Sequence, residues 1–292
     1  WWGSTVVPTV NKSAQGFCDL VLGENGVIDK WSKAGVKGWR LDVVDELPID
    51  FTNKLCSRIK SEGEDMLVVG EVWEDASIKI AYSEWRPYFM GEQLDSVMNY
   101  PFKEAILAYA LTGDKNAFIS DVTTILEHYP KQSLDVLMNL VDSHDTARAI
   151  TILSGVKPPY SKKDRADFAL SCEQYDLAKR RLKLASALQY TLPGVPCVFY
   201  GDEVGKQGYE DPLNRGTYPW GREDNDLLAH YRKLGELRHT FAPYLQGETH
   251  FVPDPDKLIF ERVCMGGVLR VESQDLWLSI SVNGKTLMSI NN

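Results

Sequence analysis

Residues 38–46 read Gly-Trp-Arg-Leu-Asp-Val-Val-Asp-Glu, and this stretch decides the fold. It follows a glycine turn and is too apolar for an exposed loop, so Trp39 to Val44 is predicted to be a buried strand of a parallel sheet. Side chains two apart project from the same face of a strand, and we expect Arg40 and Asp42 to point the same way. Such a buried charged pair is either a structural ion pair or a catalytic carboxylate held ionised, and this stretch alone leaves both open.

Four more apolar segments follow, and helical patterns alternate with them. The other predicted strands are residues 66–73, 94–100, 135–144 and 195–200. The predicted helices are residues 13–33 (interrupted at Gly23 and Gly26), 48–61, 102–111, 115–127, 173–190 and 225–239. This alternation predicts an α/β fold in which helices cover a parallel sheet.

Polar side chains at the carboxyl ends of the strands distinguish between two kinds of parallel sheet. Glu71, His144 and Asp145 stand near such ends, which is where a β/α barrel places its active site. A doubly wound open sheet is the alternative, but it usually carries a glycine-rich phosphate loop, and the sequence has none. We therefore predict a β/α barrel, of which this chain supplies five strands.

The pattern changes after Pro243. Short apolar runs are separated by turn signals such as Asp254-Pro255, Gly266-Gly267 and Asn283-Gly284. This spacing predicts a small antiparallel β-sandwich domain. The predicted domains are residues 1–243, the C-terminal part of a catalytic barrel, and residues 244–292, the antiparallel β domain.

Composition excludes several functions. The net charge of −9 argues against nucleic acid as a partner, because phosphates require a basic face. No apolar run reaches transmembrane length, so no membrane partner is predicted. The five cysteines are widely spaced and lack zinc-site spacing, so we expect free thiols. Free thiols favour a reducing compartment, the cytoplasm, while export stays open because Trp1 is not a natural start.

Three segments, in chain order, resemble the signature segments of the α-amylase family of glycoside hydrolases: residues 38–42, 70–73 and 143–145. Residues 193–203 and 211–220 are similar to the family's eighth strand and the loop that follows it. The resemblance therefore implies a (β/α)8 TIM barrel to which this chain supplies about the last five β/α units. Residues 44–46, 98–102 and 142–146 most resemble the branch of neopullulanases, cyclomaltodextrinases and maltogenic amylases.

The resemblance implies a role for each residue of the three segments. Asp42 is the nucleophile, Glu71 the general acid/base and Asp145 the stabiliser of the transition state. Arg40 supports Asp42, and His144 contacts sugar hydroxyls. Retaining hydrolysis needs one ionised carboxylate and one proton donor about 5–5.5 Å apart. The charge of Arg40 suits the first role, and apolar neighbours of Glu71 suit the second.

Further substrate contacts are implied with less support from the residues themselves. Glu46 is expected to line the acceptor side, unless it is a solvated loop acid. Asp211 and Arg215 are expected in the donor pocket. Trp73 is expected to stack on a glucose ring. Trp2, Tyr88 and Tyr100 are candidates for the same contact, although each of the four is individually more typical of core or rim. Asp142 is expected to support its neighbours. No residue of this chain is predicted to bind a metal.

The resemblance implies a retaining hydrolase of α-glucosidic bonds in maltodextrins, cyclodextrins or pullulan. Within enzymes, the alternatives are an α-glucosidase or oligo-1,6-glucosidase, and a debranching amylopullulanase. A non-catalytic binding module is the alternative of another class, but all three acid positions are filled. The expected partner is an α-glucan oligosaccharide, with a homodimer or a missing barrel half completing the fold. No cofactor is expected to be required, and any calcium is expected in the part that precedes Trp1.

Overall fold

The computed structural model describes residues 4–63 and 65–291. The helices are α1 Gln15–Leu22, α2 Val27–Lys33, α3 Ile49–Lys60, α4 Tyr100–Thr112, α5 Lys115–His128, α6 Lys131–Asp135, α7 Ala149–Leu153, α8 Lys162–Ala166, α9 Cys172–Thr191 and α10 Asn225–Phe241. The strands are β1 Gly38–Leu41, β2 Leu67–Gly70, β3 Ile80–Ala81, β4 Glu84–Trp85, β5 Ser96–Asn99, β6 Met138–Asn139, β7 Val195–Pro196, β8 Glu248–Phe251, β9 Leu258–Cys264, β10 Gly267–Gln274, β11 Trp277–Val282 and β12 Lys285–Ile290.

The chain divides into two units. The first holds the described residues up to Met98 together with Tyr129–Ser133, and the second holds Asn99–His128 and the described residues from Leu134 onward. The predicted domain boundary after residue 243 falls inside the second unit and stays a prediction.

Parallel strands form the centre of the first unit. Strand β1 pairs with β2, and β2 pairs with β5, both in parallel. The amphipathic helix α3 buries Phe51, Leu55 and Ile59 at the spacing of one helical face. The split predicted between α1 and α2 is confirmed, since α1 ends at Leu22 and α2 begins at Val27.

The strands around the candidate site are shorter than predicted. Strand β1 ends at Leu41, not at Val44, because Val43 takes the left-handed conformation (φ 41°) and Val44–Glu46 forms a 3-10 turn. Strand β2 ends at Gly70, where an added Cβ would lie 2.4 Å from Leu94 Cδ1. Any larger residue here, where the chain turns toward Glu71, would have to displace the Leu94 side chain.

The remaining predicted strands also shorten. Strand β5 ends at Asn99 because its side chain caps α4, accepting from the Phe102 amide at 3.2 Å. The predicted strand over residues 135–144 reduces to β6, and its first residue, Asp135, belongs to helix α6 instead. Strand β7 is only Val195–Pro196.

In the second unit β6 and β7 pair in parallel, and long helices surround them. Helix α9 begins with a capping box in which Ser171 and Gln174 satisfy each other's amides. The buried Asn139 amide on β6 accepts from Asn99 Nδ2 (2.8 Å) and donates to the Pro193 carbonyl (2.7 Å). These polar contacts fix the strand ends from which residues 140–148 continue.

The predicted C-terminal antiparallel sheet is confirmed as five strands in the order β12-β11-β10-β9-β8. Among the described residues it is a single sheet, so the predicted second layer of a sandwich is not seen there. Helical side chains contact it instead: Tyr109 bonds Ser273 (3.0 Å), and Phe118 packs edge-on against Phe251. The fully buried Arg262 anchors the sheet by donating to carbonyls that include that of Thr191, and burial lowers its pKa to about 10.

Candidate active site

Four predicted site residues lie together in the first unit, and we call them the Glu71 cluster: Arg40, Asp42, Glu71 and Trp73. Arg40 comes from β1, Asp42 follows it immediately, and Glu71 follows β2. Because β1 and β2 are parallel neighbours, their carboxyl ends deliver both acids to the same edge of the sheet. The sequence prediction that these residues meet is therefore what the structure shows.

Glu71 is 5% exposed and is surrounded by hydrogen-bond donors. Its Oε2 accepts from the Val43 amide at 2.8 Å, and its Oε1 accepts from the Trp73 indole at 3.0 Å. The environment of the Glu71 carboxyl is therefore more polar than its apolar sequence neighbours, Val69 and Val72, lead one to expect. The left-handed backbone conformation of Val43 directs its amide toward the Glu71 carboxyl. This uncommon conformation therefore helps to orient the acid.

Arg40 contacts both acids. Its Nη1 donates to Asp42 Oδ1, and its Nη2 lies 3.0 Å from Glu71 Oε2 as an ion pair without a hydrogen-bonding angle. The Asp42 side chain is 72% exposed, whereas its guanidinium partner is mostly covered. One cation thus holds an accessible carboxylate beside a buried one, which is an arrangement suited to two different chemical roles.

The other predicted contacts in this unit differ in exposure. Glu46 ends the 3-10 turn after β1 and accepts from the Tyr82 hydroxyl. Trp73 keeps 47% of its surface exposed. Tyr88 and Tyr100 are buried in the core, which confirms the interpretation that the sequence favoured for them over stacking on a sugar. The stacking interpretation of Trp2 lies outside the described residues.

A second group lies in the second unit, and we call it the Asp145 cluster: His144, Asp145, Asp211 and Arg215. Asp145 Oδ2 lies 3.1 Å from His144 Nε2, and Asp145 Oδ1 lies 3.3 Å from Arg215 Nη2. Arg215 also pairs with Asp211 through Nε at 2.7 Å. The structure therefore brings together all four residues predicted to act from this part of the chain.

Asn214, which the sequence analysis did not assign, holds the backbone of this cluster. Its Nδ2 donates to the carbonyls of His144 (2.8 Å), Thr146 (2.7 Å) and Ser143 (3.3 Å). A flipped amide would set Oδ1 against three carbonyl oxygens, so the orientation is determined by the contacts. The only sequence signal was its position between Asp211 and Arg215.

Arg148 is fully buried and joins the same segment to residues 200–214. Its Nε donates to the Asn214 carbonyl (2.9 Å), and its Nη1 donates to the Tyr200 carbonyl (2.6 Å). Nη1 also lies 3.3 Å from Asp202 Oδ1, and the guanidinium lies 3.9 Å from the centre of the Phe199 ring.

Asp142 and Asp202 form a buried carboxyl pair next to Arg148. Burial raises the pKa of Asp142, and burial together with the charge of Asp142 raises the pKa of Asp202 well above its usual range. Asp142 Oδ2 accepts from the Ala149 amide at 2.7 Å. Asp142 Oδ1 and Asp202 Oδ2 find no other partner in the described part of the chain, which fits a proton held between them.

No other kind of site competes with these clusters in the described ranges. No group of three His, Cys, Asp or Glu side chains there is arranged to hold a metal ion. No helix among those residues is long and apolar enough to cross a membrane. The five cysteines are all free, as predicted.

Comparison with known proteins identifies the fold. Residues 20–236 match the alpha amylase catalytic domain. The chain is 35% identical over 224 residues to a cyclomaltodextrinase from Bacillus sp, covering 75% of this chain and 35% of that protein. It is 32% identical over 264 residues to an amylopullulanase from Thermoanaerobacter thermohydrosulfuricus, covering 82% of this chain and 17% of that protein.

A solved structure gives the same result. The type III pullulan hydrolase from Thermococcus kodakarensis matches with a TM-score of 0.79 and 29% identity, over 94% of this chain and 45% of that one. The chain thus spans less than half the length of each of these three relatives. The parallel strands with flanking helices and the C-terminal antiparallel sheet agree with a family whose catalytic domain is a TIM barrel. Because the matched residues exceed half of the sequence, the chain belongs to the α-amylase catalytic-domain family.

Proposed function

We propose that this chain carries the catalytic acids of a retaining glycoside hydrolase acting on α-glucosidic bonds of maltodextrins, cyclodextrins or pullulan. The observation that carries the proposal is the contact of one guanidinium, that of Arg40, with both Asp42 and Glu71. Two carboxyl groups held side by side, one accessible and one buried, suit a double displacement. The names of the three relatives support the substrate class.

In the proposed mechanism Asp42 attacks the anomeric carbon while Glu71 protonates the leaving oxygen. Glu71 then takes a proton from water, which attacks the same carbon and releases the sugar from Asp42. The Trp73 indole and the Val43 amide orient the Glu71 carboxyl. Asp145 is proposed to stabilise the positive charge of the transition state.

The substrate contacts are proposed as they were inferred from the sequence. His144 binds sugar hydroxyls, Asp211 and Arg215 line the donor side, Glu46 lines the acceptor side, and Trp73 stacks on a glucose ring. Support comes from the exposed position of Trp73 and from the contacts within the Asp145 cluster.

The finer architecture is also a proposal. We place this chain as the last five β/α units of an eight-stranded barrel, with the C-terminal sheet as one layer of a small sandwich. Five parallel strands and the partial coverage of the relatives support this. A preceding barrel half, any calcium site and a homodimer are proposed to complete the enzyme, without a required cofactor. The free cysteines support the cytoplasm as its compartment.

A debranching activity is the second candidate, and the match to an amylopullulanase favours it. The bond preference can be measured on pullulan. Cleavage of α-1,6 bonds yields maltotriose, whereas cleavage of α-1,4 bonds yields trisaccharides that retain an α-1,6 bond.

The test is reducing-sugar release from cyclodextrin, pullulan and starch, by this chain and by a longer protein that contains it. Asp42→Asn should abolish turnover, and Asp50→Asn, an exposed acid on α3, should not. Full activity in Asp42→Asn would refute the proposal. Binding of α-glucan without turnover by the folded, longer protein would instead support the non-catalytic alternative.

A further inference from the structure

The segment that follows Glu71 carries an exposed apolar surface that the catalytic roles do not explain. Strands β3 and β4 form a hairpin in which Ile80 pairs with Trp85 and Ala81 pairs with Glu84. Six large apolar side chains are exposed on or beside it: Trp73, Ile78, Ile80, Tyr82, Trp85 and Met90. We call this the hairpin surface.

The three aromatic residues of this surface are anchored by their polar edges. The Trp73 indole donates to Glu71 at 3.0 Å, and the Trp85 indole donates to the Ser77 carbonyl at 3.2 Å. The Tyr82 hydroxyl donates to Glu46. The rings nevertheless keep 47%, 50% and 66% of their surface exposed, respectively. Fixed rings with open faces lose little conformational freedom when they bind a flat apolar surface.

The hairpin is braced against the turn that follows β1. The buried Arg86 donates to the carbonyls of Asp45 (2.9 Å) and Leu47 (3.0 Å). Tyr88 donates to the Asp45 carboxylate, and Lys79 pairs with it at 3.0 Å. Two-residue strands cannot hold a hairpin by themselves, so these contacts determine its position.

The hairpin turn also has an unusual backbone. Tyr82 and Ser83 both have positive φ (54° and 64°), in a two-residue turn that usually takes Asn and Gly. A large aromatic residue at such a position is a backbone outlier, and outliers of this kind cluster at functional sites. The turn presents Tyr82 toward Glu46, which lies in the same 3-10 turn as Val44 and three residues after Val43, the donor to Glu71.

We propose that Tyr82 and Trp85, together with Trp73, form a binding platform for glucose units on the leaving-group side of the cleaved bond. The proposal rests on the proposed function. The hydrogen bond from Trp73 to Glu71, the proposed acid, links one ring of the platform to the proposed site of bond cleavage. Glu46, which accepts from the Tyr82 hydroxyl, and Glu84, the sequence neighbour of Trp85, can accept hydrogen bonds from sugar hydroxyls, while the ring faces meet the C–H face of glucose.

The test compares substrates that differ only in their leaving group, using the longer protein that contains this chain. Tyr82→Ala and Trp85→Ala should each raise KM for maltohexaose by about three- to tenfold, and leave kcat/KM for α-maltosyl fluoride unchanged. Tyr82→Phe should retain most of the affinity, because it keeps the ring. Tyr160→Ala removes a fully exposed tyrosine of the second unit and should change neither value.

An unchanged KM for maltohexaose in both alanine variants would overturn the proposal. So would a shift in oligomeric state without a change in KM, which would identify the hairpin surface as a protein interface. Should an alanine variant fail to fold, maltotriose titrations of Asp42→Asn with and without Trp85→Leu decide, because leucine fills the position without an aromatic face, and equal affinity would again overturn the proposal. The proposed function fails separately, if Asp42→Asn still hydrolyses α-maltosyl fluoride.

Discussion

The Glu71 cluster and the Asp145 cluster hold their acids in different ways. Glu71 is buried, and its carboxyl accepts hydrogen bonds from Val43, just after β1, and from Trp73, just after β2. Asp145 is about one-third exposed, and its backbone is held by residues some 70 positions later in the chain. A buried acid can be oriented through its own hydrogen bonds, whereas an exposed acid depends on the segment that carries it.

The largest effect is expected in the Glu71 cluster. Glu71→Gln keeps the shape but removes the proton donor, so kcat on maltodextrins should fall by about 10³–10⁴-fold. A substrate with a good leaving group, such as α-maltosyl fluoride, needs less protonation and should lose far less. Glu92→Gln, an exposed acid in the same unit, is the matched control. Equal losses on both substrates would contradict the role of Glu71 as the acid.

Substitution of Arg148 tests whether its buried contacts stabilise the segment that carries the Asp145 cluster. Arg148→Met removes a buried cation beside Asp202 and leaves two carbonyls without their donor, so the free energy of unfolding should fall by about 3–5 kcal/mol. Urea unfolding measures this directly. Arg165→Met removes a partly exposed pair with Glu210 and should cost less than about 1 kcal/mol. A similar small loss at Arg148 would show that its network does not stabilise the unit.

Asn214 tests positioning rather than stability. In Asn214→Asp the donor becomes an acceptor facing three carbonyl oxygens, so the segment 143–146 should shift. We expect kcat to fall about 10- to 100-fold, with a much smaller change in KM. Asn116→Asp at an exposed position is the control. If KM rises while kcat is kept, Asn214 affects substrate binding only.

The carboxyl pair predicts a pH dependence of stability. Because burial raises the pKa of Asp202 in the folded state, its stabilising contribution is complete below the unfolded value near 3.8 and is lost as pH rises through the folded value. Asp202→Asn cannot titrate, so the variant should gain stability relative to wild type between acidic and neutral pH. The expected size is on the order of 1 kcal/mol for each unit of raised pKa.

Urea unfolding at several pH values measures this difference. A difference between variant and wild type that does not change with pH would show that no proton is shared between Asp142 and Asp202.

The two clusters also differ in how well the sequence predicts them. Arg40, Asp42 and Glu71 were identified because charged residues interrupt short apolar strands, and that signal is local. The ends of those strands were placed too late, because nothing local shows that Val43 turns its amide toward Glu71.

The support of the Asp145 cluster is non-local, and the sequence analysis missed it. Asn214 and Arg148 act on carbonyl groups that only the folded chain brings near them. Tyr88 and Tyr100 show the converse case. The sequence favours core or rim for a tyrosine without excluding a sugar platform, and their burial decides for the core.

The most direct test of the account is to trap the covalent intermediate. A slowly turned over fluorinated α-glucosyl fluoride, incubated with the protein, should add one sugar to the peptide that carries Asp42, as peptide mass spectrometry would show. Labelling should be absent in Asp42→Asn. A sugar attached to another carboxylate, or products of inverted configuration, would contradict the account.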